Sequence, residues 1–211
     1  MNLHVIPSGP IQTNAYLLSS AESGEAVLID APGGIWAKIE PILTEGGLRL
    51  TEMWITHGHW DHTQGGAEVV RKTKAKVIAH LADQVLIETP EVMEGFMGEK
   101  LGLEGIVVDQ WVEEGDRLAA LGTESEVRHV PGHCPGNVMF VFEKLQTAFV
   151  GDAIFAGSVG RTDLPGGSME ELKKSIRSRI YSLPDETVLY PGHGTHTTVA
   201  TEKTGNPYVR A

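Results

Sequence analysis

Histidines and aspartates are concentrated in a few short motifs of this chain, and the densest is Thr56–His62, with the sequence THGHWDH. Three further potential ligands, His133, Asp152 and His193, each lie beside a glycine. Neutral imidazole and carboxylate are the ligands that zinc and iron prefer in proteins. Burying such groups together is costly unless they coordinate a cation. Five of the nine histidines fall in these motifs, so we predict a metal site rather than scattered structural histidines.

The spacing within the first motif predicts how its side chains point. A short apolar, β-favouring stretch precedes it and indicates a strand. If the chain stays extended beyond that strand, His57 and His59 point to the same side, because side chains alternate with period two. Asp61 and His62 are adjacent, so a strand would aim them apart. A turn into a helix, at roughly Thr63–Lys72, would bring both toward the same pocket.

The number of ligands predicts two metal positions. A structural zinc site takes four ligands, so six side chains and a bridge overfill a single one. Two ions about 3.5–4 Å apart fit the count. We expect three side chains at each ion and one shared aspartate: His57, His59 and His133 at the first, Asp61, His62 and His193 at the second, and Asp152 as the bridge.

Length and composition bound the class of protein. A chain of 211 residues is expected to form one domain over residues 1–211, large enough to bury a full core. It has no apolar run long enough to span a bilayer, and its N-terminus lacks the pattern of a signal peptide. The single cysteine, Cys134, cannot form an internal disulfide, which suits a reducing cytoplasm.

The charge of the chain opposes a polyanionic partner. Acidic residues outnumber basic ones by 28 to 17, giving a net charge of −11. Nucleic-acid binding requires clustered lysines and arginines, and the nearest cluster, Lys72–Lys76, is interpreted as a solvated helix end. We therefore expect no nucleic-acid and no membrane partner, while the oligomeric state is left open.

Short strands and helices alternate along the chain, which favours a layered α/β domain. Strands are predicted at residues 3–6, 15–18, 26–29, 53–55, 77–79, 125–130, 138–142, 148–150 and 187–190. Helices are predicted at 35–44, 63–72, 81–88 and 169–179, and after residue 195. Four strands, ending near Ile55, Val130, Val150 and Tyr190, run directly into a ligand motif. Functional loops are commonly gathered in this way at one edge of a rigid sheet.

The chain resembles the metallo-β-lactamase superfamily through its His-x-His-x-Asp-His motif. Within that superfamily it is similar to the short, single-domain, glyoxalase II-like hydrolases of bacteria. That narrower resemblance rests on Gly151–Gly167, with the sequence GDAIFAGSVGRTDLPGG, and on an ending that contains Gly192–Gly194 and Asn206-Pro207. It extends from Ile11–Tyr16 to the C-terminus and implies a four-layer αββα sandwich.

Two residues outside the ligand set are candidates for supporting roles. Asp30 follows an apolar stretch and is a candidate to orient a ligand histidine, with a simple turn aspartate as an equal alternative. The family usually continues that aspartate directly into Pro-Gly, whereas Ala31 intervenes here. Arg161 is expected either to bind a substrate carboxylate or, equally, to form a salt bridge with Asp163. Cys134 is interpreted as a spectator.

The segment between residues 88 and 111 has loosely helical apolar spacing interrupted by glycines. We favour a packed connecting segment over a mobile cover that would use Phe96 and Met97 against an acyl or thiol tail. Larger glyoxalase II enzymes carry an extra C-terminal helical domain with basic residues for glutathione. Lys203 and Arg210 are the candidates to replace those residues here.

The resemblance implies thioester hydrolysis, with S-lactoylglutathione as the model substrate. A bound metal ion lowers the pKa of water to about 7 and polarises a carbonyl, and we expect Asp61 to orient the nucleophile or accept its proton. A thiol has a pKa near 8.5, so the thiolate leaves with little proton assistance. Two divalent ions are expected, zinc first, with iron or manganese as alternatives.

The main alternative is a persulfide dioxygenase, a group that resembles the same scaffold. It uses a single iron held by residues that match His57, His133 and Asp152. The presence of a second set ending at His193 favours hydrolysis. A lactonase, a phosphodiesterase and a non-catalytic metal-binding scaffold are less favoured.

Overall fold

The structure is a computed structural model that describes residues 1–98 and 100–211; the side chains of Phe96 and Met97, and the contacts expected of them, lie outside the described part. The chain divides into two compact units. The first unit comprises Met1–Val112 with Ala120–Gly122, and the second comprises Glu113–Ala119 with Thr123–Ala211. The predicted mixed α/β class is confirmed, while a single domain over residues 1–211 stays a prediction.

The first unit is built on a six-stranded sheet whose strands follow sequence order. They are β1 (Asn2–Ser8), β2 (Thr13–Ser20), β3 (Glu25–Ile29), β4 (Arg49–Trp54), β5 (Lys76–His80) and β6 (Gln110–Val112). The pairs β1–β2 and β2–β3 are antiparallel, whereas β3 to β6 run parallel. The loops that follow β3, β4 and β5 therefore emerge at one edge of the sheet.

Helices of the first unit cover one face of this sheet. They are α1 (Ile35–Gly46), α2 (Trp60–Thr63), α3 (Gly66–Thr73), a 3₁₀ turn (Leu81–Asp83) that leads into α4 (Gln84–Glu88), and α5 (Glu91–Met97). The apolar positions Ile35, Ile39 and Leu43 recur every four residues, so they form one stripe of α1. This stripe belongs to a buried cluster that includes Leu28 and Met53 of the sheet.

The second unit contains another six-stranded sheet, in the order β14-β13-β10-β9-β8-β7. Its strands are β7 (Arg117–Ala120), β8 (Thr123–His129), β9 (Val138–Phe142), β10 (Thr147–Gly151), β13 (Val188–Pro191) and β14 (Thr197–Thr198), and β11 (Ile154–Phe155) pairs with β12 (Ser158–Val159) as a separate ribbon. Strands β10 and β13 are parallel. A 3₁₀ turn (Glu143–Leu145) connects β9 to β10.

Two helices complete the second unit, α6 (Met169–Ser175), which continues as a π-helical turn (Ile176–Ile180), and α7 (Val199–Gly205). Ser168 caps α6 by accepting a hydrogen bond from the backbone N–H of Glu171, as its Ser-x-x-Glu spacing favours. Leu172, Ile176 and Ile180 again recur every four residues and lie in the buried cluster of this unit.

The predicted helix at 63–72 differs from the structure, since the chain turns helical already at Trp60 and breaks between α2 and α3. The loop after β3 explains the break. The backbone N–H of Ala31 donates to the carbonyl of His62 at 2.7 Å, and the N–H of Gly65 donates to the carbonyl of Ala31 at 2.8 Å. Ala31, the residue that intervenes between Asp30 and Pro32, thus connects the loop after β3 to both sides of the break.

The segment between residues 88 and 111 contacts the rest of the first unit. Met93, Leu103, Ile106 and Val108 are buried, and the carboxylate of Glu94 accepts hydrogen bonds from the backbone N–H groups of Leu101 and Gly102. These contacts support the packed connecting segment over the mobile cover. In the described part of the chain, no helix is both long enough and apolar enough to cross a bilayer.

Candidate metal centre

The first ligand group, His57, His59, Asp61 and His62, lies at the edge of the sheet where β4 ends. Beyond β4 the chain bends at Thr56, and the backbone of His59 is extended, with dihedrals of −63° and 145°. His57 Nε2 is 3.1 Å from His59 Nδ1, so the two imidazoles converge as the alternation of side chains predicted.

The beginning of α2 brings the other two side chains into the same group. His62 Nε2 is 3.3 Å from Asp61 Oδ2, and the rings of His57 and His62 have centroids 4.1 Å apart. The hydroxyl of Thr13, the first residue of β2, donates to Asp61 Oδ2 at 2.7 Å. The helical turn that begins at Trp60 therefore directs the adjacent side chains of Asp61 and His62 toward the same group.

Asp30 follows β3 with a left-handed φ of 58° and anchors this group. Its Oδ2 is 2.7 Å from His62 Nδ1 and 2.7 Å from the hydroxyl of Thr56, and its Oδ1 accepts from the backbone N–H of Thr56 at 2.8 Å. A carboxylate accepts only, so His62 Nδ1 carries a proton, and in the neutral ring Nε2 then presents a lone pair. Asp30 thus contacts a candidate ligand histidine directly, and its orienting role stays a prediction.

The same carboxylate controls His57 through Thr56. Because the Thr56 hydroxyl donates to Asp30, its oxygen accepts from His57 Nδ1, which lies 3.2 Å away. The proton on Nδ1 leaves Nε2 of His57 with the lone pair. One buried aspartate therefore fixes the tautomers of two histidines, and both then present Nε2 as a donor to a cation.

This arrangement allows a test of whether a cation fits the first ligand group. With the ring neutral, as a metal ligand must be, Nε2 of His62 faces a carboxylate oxygen of Asp61 at 3.3 Å, and neither atom can donate a hydrogen bond to the other. Two acceptors held this close are stabilised by a cation between them. The donor chemistry of these residues therefore fits a divalent metal ion.

The second ligand group, His133, Asp152 and His193, comes from three loops that follow β8, β10 and β13. The Nε2 atoms of His133 and His193 lie 3.7 and 3.4 Å from the same oxygen of Asp152, Oδ2. His133 Nδ1 donates to the backbone carbonyl of Arg161 at 2.7 Å, so its Nε2 also presents a lone pair. The aspartate that was predicted to bridge lies between the two histidines of its unit.

Close packing holds the second group together. A Cβ at Gly160 would lie 2.0 Å from the carbonyl oxygen of Asp152 and 2.9 Å from His133 Nδ1, so only glycine lets these two loops approach. The buried amide of Asn137 accepts from the backbone N–H of Asp152 at 3.3 Å and donates to the carbonyl of Val150 at 3.4 Å. Here the anchors are backbone groups and a neutral amide.

The side chain of Arg161 forms a two-pronged ion pair with Asp163, with distances of 2.8 and 2.7 Å. The hydrogen bond from Arg161 is the main cause that lowers the pKa of the exposed Asp163 carboxyl from 3.8 to about 2. Arg161 was predicted either to bind a substrate carboxylate or to form a salt bridge with Asp163, and the structure contains the salt bridge. Lys203 is paired with Asp185 at 2.6 Å, and Cys134 is buried.

Four residues that contact the ligand motifs were not identified from the sequence: Thr13, Thr56, Asp83 and Asn137. Thr56 belongs to the motif itself, and Thr13 lies in the Ile11–Tyr16 stretch that carries the family resemblance. Asp83 and Asn137 are polar residues next to helices or strand ends, and no local pattern separates them from turn residues.

A family model described as the metallo-β-lactamase superfamily matches residues 8–193. The chain belongs to this superfamily. The matched residues include both ligand groups, and their histidines and aspartates are donors of the kind that hold zinc and iron.

Two curated relatives match most of the chain. Hydroxyacylglutathione hydrolase GloC of Haemophilus influenzae is 33% identical over 217 residues, covering 100% of this chain and 99% of that protein. The mitochondrial persulfide dioxygenase ETHE1 of Bos taurus is 34% identical over 199 residues, covering 92% of this chain and 70% of that protein.

Two solved structures are similar over nearly the whole chain. The structure of BLEG-1 B3 metallo-β-lactamase has a TM-score of 0.91 and 32% identity and covers 100% of both chains. The structure of TTHA1623 in a di-iron-bound form has a TM-score of 0.86 and 35% identity, and the match covers 98% of this chain and 100% of that one. The fold is therefore that of the metallo-β-lactamases.

Proposed function

We propose that this protein is a binuclear-metal hydrolase of thioesters, acting on S-lactoylglutathione or a related small acyl-thiol. The observation that carries the proposal is the end-to-end similarity to a hydroxyacylglutathione hydrolase, which covers 100% of this chain and 99% of that relative. ETHE1, by comparison, is matched over 70% of its length.

We assign all seven side chains of the two ligand groups to two metal ions, with Asp152 shared between them. Within each group a histidine Nε2 atom lies close to a carboxylate oxygen, and both atoms are acceptors. Such pairs are stabilised by a cation between them, which supports this assignment. Zinc is our first choice, since imidazole and carboxylate suit it. The di-iron form of a 35% identical protein makes iron the first alternative, with manganese behind it.

A bound divalent ion would supply Lewis-acid polarisation of the thioester carbonyl and activation of water. The residues of the chain set up this chemistry. Asp30 and Thr56 keep the lone pairs of His57 and His62 on Nε2, so neither ring has to change tautomer. The Thr13 hydroxyl fixes Oδ2 of Asp61, and we propose that Asp61 takes the proton of the attacking water. The thiolate then leaves without a separate acid, since thiols ionise near pH 8.5.

The test combines elemental analysis with an assay of acyl-thiol hydrolysis. We expect about two ions per chain and turnover of S-lactoylglutathione or a simpler acyl-thiol. An oxygen-ester analogue of the same acyl group is the matched control for a requirement for a thiolate leaving group. Absence of acyl-thiol turnover by protein loaded with zinc, with iron and with manganese would contradict the proposal.

The second candidate is a persulfide dioxygenase, favoured by the 34% identity to ETHE1 over 92% of this chain. It would require one iron per chain, held by His57, His133 and Asp152, and oxygen uptake with glutathione persulfide. Lactonase and phosphodiesterase activity would appear in the same assays with the matching substrates, and metal binding without any turnover would indicate a scaffold.

A further inference from the structure

A second buried aspartate contacts the loop that carries the first ligand group. Asp83 ends the 3₁₀ turn after β5 and is 1% exposed. Its Oδ2 accepts a hydrogen bond of 2.8 Å from the backbone N–H of Gly58. Gly58 is the residue between His57 and His59, so this contact is made at the centre of the His-x-His motif.

The position of Asp83 mirrors that of Asp30. Strands β3, β4 and β5 are parallel neighbours, and the motif follows the central one. Asp30 follows β3 and takes the N–H of Thr56, while Asp83 follows β5 and takes the N–H of Gly58. Alternate amides of the loop are thus bound by carboxylates from the two flanking strands.

The role of Asp83 is not explained by its own helix. It occupies the N-cap position of α4, where an aspartate usually accepts from the first turn, yet its side chain makes no capping hydrogen bond. The loop is also pressed against this helix. A Cβ at Gly58 would lie 2.7 Å from Leu86 Cβ and 3.0 Å from Asp83 Cβ, so the loop cannot move toward the helix and the hydrogen bond opposes movement away.

We propose that Asp83 is a positioning residue that sets the spacing of His57 and His59 through the amide of Gly58, and so sets the affinity of the metal bound by these histidines. The inference rests on the proposed metal assignment. In this role Asp83 acts through a backbone amide, the N–H of Gly58. Its effect depends on the place of its acceptor oxygen, which makes the effect separable from charge.

Three substitutions separate these contributions. Asp83→Asn keeps an acceptor oxygen in place and is expected to bind metal within about threefold of the wild type. Asp83→Ala removes the acceptor and is expected to weaken one of the two ions by about 10–100-fold, the usual effect of losing a support of a metal ligand. Asp83→Glu keeps the charge but moves the acceptor by one methylene, so it is expected to follow Asp83→Ala.

The measurement is competition with a chelator, together with the visible spectrum of the cobalt-substituted protein, which reports on ligand geometry independently of activity. Asp109→Ala is the control, because Asp109 also accepts a backbone N–H at 2.8 Å in this unit, from Val77, away from the motif. It is expected to leave affinity and spectrum unchanged.

Wild-type affinity and spectrum in both the alanine and glutamate variants would overturn the proposal. If the alanine variant does not fold, the comparison of asparagine with glutamate decides. Equal binding by these two variants would also overturn it. Failure of the proposed function gives a different result, since the wild-type protein itself would then bind no pair of ions.

Discussion

The two ligand groups are held by different means, although both present Nε2 lone pairs beside a carboxylate. The first comes from six consecutive residues and is anchored by the buried carboxylates of Asp30 and Asp83 at 2.7–2.8 Å. The second comes from three loops and is anchored by the carbonyl of Arg161 and by the longer contacts of Asn137. Hydrogen bonds to charged groups are worth roughly twice neutral ones.

This difference indicates where each group is vulnerable. In the first group, single side chains outside the motif decide the tautomers and the backbone spacing. In the second, much of the anchoring comes from the backbone, which a side-chain substitution cannot remove. We therefore expect supporting residues to matter more in the first group, and the ligands themselves to dominate in the second.

The largest effect is expected from Asp152→Asn, because this residue lies between both histidines of the second group and is the proposed bridge. Hydrolysis should fall by more than about a hundredfold, beyond the 10–100-fold typical of a supporting residue. Elemental analysis should find fewer than two ions per chain. Asp185→Asn, the same change at an exposed position, is the control. Retention of both ions by Asp152→Asn would remove the shared-aspartate assignment.

Asp30→Asn tests the charged anchor of the first group. Both carboxylate oxygens of Asp30 accept hydrogen bonds, and asparagine offers only one acceptor. Where its oxygen keeps the backbone N–H of Thr56, its nitrogen faces His62 Nδ1, and the ring is driven toward the tautomer that protonates Nε2. Metal affinity should fall by about 10–100-fold, and the free energy of unfolding of the metal-free protein should fall by about 1–3 kcal/mol. Chelator competition and urea unfolding measure the two. Asp83→Asn, which retains its acceptor, should show neither change.

Asn137→Ala is the counterpart in the second group. It leaves the buried N–H of Asp152 and carbonyl of Val150 without the amide, so unfolding should become easier by about 1–3 kcal/mol. Metal affinity should change less than in Asp30→Asn, by under about tenfold, because the anchored atoms are backbone. Urea unfolding and chelator competition measure these two effects. A larger loss of affinity than in Asp30→Asn would reverse the contrast between the groups.

The same contrast explains what could be predicted from the sequence. The convergence of His57 and His59 could be predicted from their spacing within one short motif, because side chains two residues apart point to the same side of an extended chain. The contacts of Asp83 and Asn137 depend on which strands are neighbours, and the sequence near them gives no sign of it. Asp30 is intermediate, since its place after an apolar strand indicated an orienting role but did not exclude a turn.

The fold shows a similar division. Strands with strong apolar patterns, such as β3 and β9, were predicted within a residue of their observed ends. Strands β6, β11, β12 and β14 contain two or three residues and were not predicted, because pairing with neighbours, rather than their own composition, makes them extended. The break between α2 and α3 contacts the backbone of Ala31, which lies some thirty residues earlier in the chain.

The smallest effect is expected at the ion pair of Arg161 with Asp163, which lies on the exposed side of the second group. The pKa of Asp163 is lowered to about 2, so any stabilisation by the pair is present above the ordinary value of 3.8 and is lost as the pH falls through about 2. Asp163→Asn should therefore leave Tm at pH 7 within measurement error, as exposed pairs usually do. Below about pH 2, where Asp163 is protonated in the wild type, the two proteins should have the same Tm.

The same variant sharpens the question of substrate binding. If Arg161 binds a substrate carboxylate, removing its partner should lower KM by about threefold, the scale of one exposed ion pair, with kcat unchanged. An acyl-thiol without that carboxylate is the matched control and should show no change in KM. If Asp163→Asn leaves the KM of both substrates unchanged, the Arg161 side chain does not bind the substrate carboxylate. Its role is then the salt bridge with Asp163, while the contact with His133 is made by its backbone carbonyl.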